Sequence, residues 1–499
     1  MVYSITITIF LILLFFATIL CLGKWFQTQY NIFNENIFVA PIIGFILFCF
    51  FTLISYLIPF ALNVTPIIFV VFELLKDVLI FLFLIINKHK INFKGNFLKI
   101  GFIILAASLL INIPFLLNGN IAYSITPLPH NEFNHIFKIQ NINQKIIRET
   151  WVVFNSIIIF ISEISARANI YWMQGVIVSI LSVSVICSYI FLIFKKMNLT
   201  LFFSSFVLTG IVLTIVYFYK GNFNINCGSL IILLTTGLIG WEIISRPQVS
   251  TFWLSSLTIF CAFAFKTELI WLFCFYNIIL GILYIYMKRP RVFMFLFIHI
   301  ITISIVSLVL IFAEASKNLS LIILLLFSIA LLFIFILRKR IDKFNYDALI
   351  YKIRHLLLFA IVTSLIVTSI TLNLTMGNTR APWFHFGINS SIIKPEYFNN
   401  KIITVNYILY NLIILFGIIK TSLILKNKRS IKLNSFLYLF GTAMGMLLFT
   451  PLTYPTISLI IGKDQFGYII WISVFPIIIG IISEFKEKNL VKKYRGYND

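Results

Sequence analysis

Glu132 and His135 lie three residues apart in a long polar stretch between apolar runs. That spacing puts both side chains on one face of a helix. A carboxylate in this position can act as a general base toward an acceptor hydroxyl, and burial raises its pKa toward the useful range. His135 can orient the acid or contact a phosphate. The simpler reading is a solvated helix start, where the dipole favours acids. A second set is cationic: Arg148, Arg167, Arg380, His385 and Lys394. Guanidinium forks match phosphate oxygens and stabilise a phosphate leaving group. Arg148, Arg380, His385 and Lys394 are the candidates for binding a substrate phosphate. Taken singly, each is as well explained by anchoring to lipid headgroups. A third set, Glu73, Lys76 and Asp77, falls inside an apolar run. Ionisable residues in a span suggest a substrate or ion role, against the simpler reading of self-neutralisation along one helix face.

Other chemistries lack their residues. The patterns G-x-x-x-x-G-K-S/T, H-E-x-x-H, G-x-S-x-G and G-x-G-x-x-G do not occur, which leaves nucleotide hydrolysis, metalloprotease and lipase readings unsupported. The acids are too scattered for a metal site, so no metal or other cofactor is expected. The six cysteines form no C-x-x-C pair and read as small buried hydrophobes. His299 reads as a buried, hydrogen-bonded histidine, Glu242 and Arg246 as a local ion pair, and Lys420 as a snorkelling side chain.

The elements that must position these groups follow from composition. The chain has 499 residues, of which 61% are apolar and 11% charged. The mean hydropathy is +1.03. Ordinary globular chains carry about 25% charged residues. The composition excludes a soluble enzyme, a disordered chain and a disulfide scaffold. It predicts an all-α polytopic integral membrane protein with spans near 2–22, 37–59, 66–87, 100–117, 173–194, 200–219, 228–245 and 252–266. Further spans follow near 269–287, 292–313, 320–337, 356–374, 402–424, 434–450 and 466–484. The expectation is about 13–16 transmembrane helices. The N-terminus is apolar from Val2, with no basic leader and no small-residue cleavage site, and reads as a retained span.

The net charge of +23 raises the question of an acidic partner such as nucleic acid. Placed along alternating spans, 26 of the 39 Lys and Arg fall in one set of loops and ten in the other. By the positive-inside bias the richer side is cytoplasmic. The charge therefore reports orientation, and no nucleic-acid partner is expected. The N-terminus is then outside the plasma membrane and the C-terminus cytoplasmic. The segment Arg338–His355 reads as an amphipathic helix on the cytoplasmic surface.

Residues 1–499 read as a single membrane domain. It comprises an N-terminal four-helix segment (1–117), an outer loop with interfacial helices (118–172), central helices (173–375), a second outer loop (376–401), and C-terminal helices with a basic tail (402–499). Two outer connections are long, and long connections in compact domains carry function. The first holds Glu132 and His135. Its stretch Trp151–Ser162 is apolar but too short to span, and reads as an interfacial helix. The second holds Arg380, Trp383, His385 and Lys394.

An acid in the first large outer loop, followed by interfacial helices and many spans, resembles the GT-C superfamily of membrane glycosyltransferases. The matching stretch is His130-Asn131-Glu132-Phe133-Asn134-His135. The C-terminal stretch, with Thr450-Pro451, Pro455, Phe466-Gly467-Tyr468, Trp471 and Pro476, is similar to a group of uncharacterised bacterial membrane proteins with that plan. Three features depart from it. The acid loop follows the fourth span and not the first, the acid is Glu where Asp is commoner, and a terminal Trp-Arg is missing. The resemblance implies a sugar donor linked to polyprenyl phosphate, entering laterally from the membrane lipid. It also implies Glu132 as base, with Arg380 and His385 on the phosphate. Two other classes stay open. A polymerase or ligase of lipid-linked oligosaccharides would use Arg and His in two outer loops without a carboxylate base. A transporter or flippase would rely on Glu73, Lys76 and Asp77, and inverted repeats would accompany it. No such repeat is evident.

Overall fold

The structure, a computed structural model, describes residues 2–33, 36–61, 66–91, 97–117, 170–195, 223–261, 269–287, 289–312, 317–341, 355, 400–427, 432–449 and 474–487. The described residues are helices with a few short turns, and no strand occurs among them. The first four helices are α1 (Val2–Tyr30), α2 (Ala40–Ala61), α3 (Pro66–Ile86) and α4 (Phe97–Leu117). Then come α5 (Ile170–Phe194), α6 (Phe223–Ser245), α7 (Val249–Leu257), α8 (Leu269–Tyr286) and α9 (Val292–Phe312). Last are α10 (Lys317–Ile341), α11 (Asn400–Asn427), α12 (Leu433–Phe449) and α13 (474–487).

Most helices occupy the apolar runs that predict them. Several boundaries differ, and three of these have a local reason. The first apolar run ends near residue 22, yet α1 continues to Tyr30 and carries Lys24 inside the helix. Lys and Gln are good helix formers, and Thr28 Oγ1 donates to the Lys24 carbonyl at 2.9 Å. The charged end of α10 likewise runs on through Arg338 to Ile341, because cations are favoured at a helix C-terminus. The run at 252–266 begins instead as nine-residue α7, followed by a 3-10 turn at Thr258–Phe260. Ser256 Oγ donates to the Trp253 carbonyl at 2.9 Å and Thr258 Oγ1 to the Ser255 carbonyl at 2.5 Å. Such local hydroxyl bonds compete with regular helix.

By length and composition, Ile12–Tyr30 is long and apolar enough to cross a membrane. It is the one such stretch among the residues whose side chains are described; the comparable parts of the other helices are shorter apolar segments.

The helices divide into two compact units. The first draws on Met1–Thr235, Ser250–Ile270 and Ile300–Ile329. Its centre is the crossing of α1 on α2, where Gly23 and Gly44 bring backbones into contact. A Cβ built on Gly44 would lie 1.7 Å from the Ile19 carbonyl oxygen, and one on Gly23 would lie 1.8 Å from that of Ala40. Small residues permit this approach between apolar helices. Trp25 of α1 meets Phe83 of α3 edge to face, with ring centroids 4.7 Å apart. Tyr189 of α5 donates to the Leu234 carbonyl of α6 at 2.7 Å. A buried phenol usually finds such a hydrogen-bond partner.

The second unit draws on Thr236–Val249, Trp271–His299 and Ala330–Asp499. Tyr276 of α8 donates to the Thr236 carbonyl of α6. Gly240 faces the Tyr276 hydroxyl and Phe436, where a Cβ would lie 3.0 and 3.1 Å from them. His299 is buried as expected, with Nδ1 2.8 Å from the Phe295 carbonyl. That makes Nδ1 the donor.

Candidate functional site

The predicted acid-base and phosphate residues fall on the two long connections. Glu132, His135, Arg148, Arg380, His385 and Lys394 all lie outside the described residues, as do Trp151–Ser162 and Trp383. The helices that hold the ends of the first connection are described. α4 ends at Leu117 and α5 starts at Ile170, and the two pack against each other within the first unit. The connection carrying Glu132 therefore leaves from and returns to neighbouring helices. The second connection ends where α11 begins at Asn400.

The third ionisable set, Glu73, Lys76 and Asp77, lies on α3. Lys76 is buried on the face turned toward α2, and its Nζ donates to Thr52 Oγ1 at 3.0 Å. The same ammonium lies 3.1 Å from Asp77 Oδ1 and 4.4 Å from the centre of the Phe48 ring. Thr52 and Phe48 are partners that sequence spacing does not reveal, since α2 and α3 are separate apolar runs. Glu73 belongs to the same helix, one turn before Asp77.

A second ionic centre ties together α11, α12 and α13 in the second unit. Lys420 donates to Glu484 Oε1 at 2.7 Å, and the Tyr438 hydroxyl donates to Oε2 of the same carboxylate at 3.0 Å. Thr421 Oγ1 donates to the Tyr438 carbonyl at 3.1 Å and lies 3.0 Å from Thr442 Oγ1. Lys432 pairs with Glu487 at 3.0 Å on the exposed side. Lys420 is thus paired with the Glu484 carboxylate, a partner that the reading of it as a snorkelling side chain did not name. The partner lies 64 residues away in sequence.

A third polar centre involves residues that the sequence reading did not single out. Gln27 Nε2 donates to the Asn36 carbonyl at 3.0 Å, and Asn36 Nδ2 donates to the Ser188 carbonyl at 2.9 Å. Ser188 Oγ donates to the Ser184 carbonyl at 2.6 Å. The network joins the end of α1, the α1–α2 connection and α5. Phe38, in the 3-10 turn Ile37–Val39, meets Phe191 of α5 at 6.0 Å between ring centroids. The sequence signal was four serines in ten residues of an otherwise apolar run: Ser179, Ser182, Ser184 and Ser188, all buried.

Comparison with protein-family models, curated proteins and solved structures gives no match to this chain. The functional reading therefore rests on the residues themselves and on the resemblance of plan described above.

Proposed function

We propose that the chain is a polytopic integral membrane protein of the plasma membrane, and that it transfers a sugar from a polyprenyl-phosphate-linked donor to an acceptor on the outer face. The membrane part is supported by exposed apolar side chains on the described parts of α3 and α10. On α3, Leu75, Leu79, Phe81, Leu82 and Ile86 are exposed; on α10, Leu325, Leu332, Phe333 and Ile336 are exposed, the last at 74%. Soluble proteins rarely leave contiguous apolar surface of this kind uncovered, whereas acyl chains cover it naturally. The helix lengths agree. α2, α3, α4 and α9 have 22, 21, 21 and 21 residues, and at 1.5 Å per residue that is about 30 Å, the thickness of a bilayer core. α10 ends in Arg338, Lys339 and Arg340, on the side assigned to the cytoplasm.

The chemical part rests on Glu132 in the connection between α4 and α5. In the proposed step Glu132 takes the proton of the acceptor hydroxyl. The acceptor oxygen bonds to the anomeric carbon, the bond from that carbon to the phosphate oxygen breaks, and polyprenyl phosphate leaves with the bonding pair. Arg380 and His385, with Arg148 and Lys394, neutralise the charge gathering on that phosphate. Transport is less well supported, because the Lys76 charge is matched by Asp77 beside it and solvated by Thr52.

The reaction is tested with the full chain in proteoliposomes. The probes are polyprenyl phosphates carrying radiolabelled hexoses or pentoses, with cell-envelope extract as acceptor. The expected result is release of free polyprenyl phosphate in step with label entering acceptor. No release with any sugar of the panel would count against glycosyl transfer.

A further inference from the structure

In the network between α1, its connection to α2, and α5, each amide nitrogen has an acceptor while three side-chain oxygens have no partner. Gln27, Asn36 and Ser184 are 1%, 4% and 0% exposed. Both amide nitrogens are engaged by carbonyl oxygens. Gln27 Oε1, Asn36 Oδ1 and Ser184 Oγ have no hydrogen-bond partner. The amide orientations are forced, since turning either amide over would set its oxygen against a carbonyl oxygen. Ser184 and Ser188 are four apart on α5, so they share its face. Unpaired buried polar atoms are costly, most of all in an apolar bundle. Three of them on one network call for a ligand.

The backbone points the same way. The chain leaves α1 through Asn31 at φ 57 and Phe33 at φ 50. A bulky side chain in the left-handed region is uncommon, and such strain gathers at ligand sites. α1 has no basic residue in its last turn. The negative end of its dipole therefore has no cation of its own there.

We propose that this centre binds a monovalent alkali cation. The orphaned atoms are oxygens, which are the ligands of hard cations. The amides and the hydroxyl are neutral, so a divalent ion would bring two charges into an apolar interior, and charge burial is the dominant penalty. Helix ends and the unwound backbone beside them also hold monovalent cations in membrane transport proteins. The bound ion would clamp the α1–α2 connection to α5 by joining α1, through Gln27, with Asn36 and Ser184. The proposal does not depend on the outer-face chemistry.

Thermal unfolding of the purified full chain in detergent tests the proposal, in NaCl, KCl or choline chloride at equal ionic strength. Equal ionic strength removes general screening as a cause. Tm is expected to rise saturably in at least one alkali salt relative to choline chloride. Ser184→Ala removes a side-chain oxygen that makes no hydrogen bond, so the network persists and the fold is kept. It is expected to move the half-saturating salt concentration up about tenfold, the equivalent of one lost ligand contact. Ser184→Thr, which restores a hydroxyl, is expected to return it. Equilibrium binding of radioactive sodium or rubidium should show one saturable class of site in the wild type, weakened in Ser184→Ala. Equal Tm in all three salts with no saturable ion binding would overturn the proposal and leave a buried water as the ligand. A Ser184→Ala midpoint equal to wild type would overturn it as well.

Discussion

Glu132→Gln is expected to reduce sugar transfer by about two to four orders of magnitude, the usual contribution of a general base. The substitution keeps the size of the side chain and its hydrogen-bonding reach, but an amide cannot accept the proton of the acceptor hydroxyl. Protein level and melting temperature should stay at wild type, because Gln is nearly isosteric with Glu. Glu132→Asp restores the carboxylate on a shorter arm, and partial activity is expected there. His135→Ala should cost less than Glu132→Gln, since it orients the acid or touches phosphate but takes no proton. The variants also separate the competing chemistries. Full transfer by Glu132→Gln, with loss on changing Arg148 or Arg380, is the signature of a polymerase or ligase that works without a carboxylate base.

Gly44→Ala is expected to destabilise the first unit by about 3 kcal/mol, at the upper end of what overpacking costs. The added methyl would meet the carbonyl oxygen, carbonyl carbon and Cα of Ile19 at 1.7, 2.5 and 2.9 Å. All three are backbone atoms, so no side chain can turn aside and α1 must move away from α2. Trp25 against Phe83, and the start of the Gln27 network, ride on α1 and would move with it. Gly281→Ala is the matched control. Its Cβ would meet only the Phe295 ring at 3.7 Å and Leu296 at 4.0 Å, which is ordinary contact. Replacing a helical Gly with Ala there is expected to be neutral or mildly stabilising, by up to about 1 kcal/mol. Thermal unfolding of both variants in detergent checks the contrast.

Much of the helical layout was legible because the apolar runs are long and sharply bounded. Pro66 opens α3 at a position where its missing N–H costs nothing, and Arg291 directly precedes α9. The ends that misled were those where polar residues continue a helix. Lys24 and Arg338 look like loop residues by charge, yet their backbone stays helical, because a long side chain can carry its charge away from the axis. The polar centres were less legible for a different reason. Asn36 and Ser188 are joined across 152 residues, and Lys420 and Glu484 across 64. A sequence shows local periodicity and cannot show which turn of one helix meets which turn of another. Neutral residues such as Gln27 and Asn36 also carry no charge signal, and between two apolar runs they read as ordinary connection. Glu132, His135, Arg148, Arg380, His385 and Lys394 drew notice by residue type and spacing, and their candidacy rests on that chemistry.

Everything proposed for Glu132 requires the connection between α4 and α5 to face outward while the C-terminal tail faces the cytoplasm. Single-cysteine labelling of intact cells measures this directly. Ser124→Cys in the connection and Asn489→Cys in the tail are introduced separately, after the six native cysteines are replaced. A membrane-impermeant maleimide should label Ser124→Cys from outside the cell, and Asn489→Cys only after permeabilisation. Labelling of Asn489→Cys but not Ser124→Cys in intact cells would contradict the account.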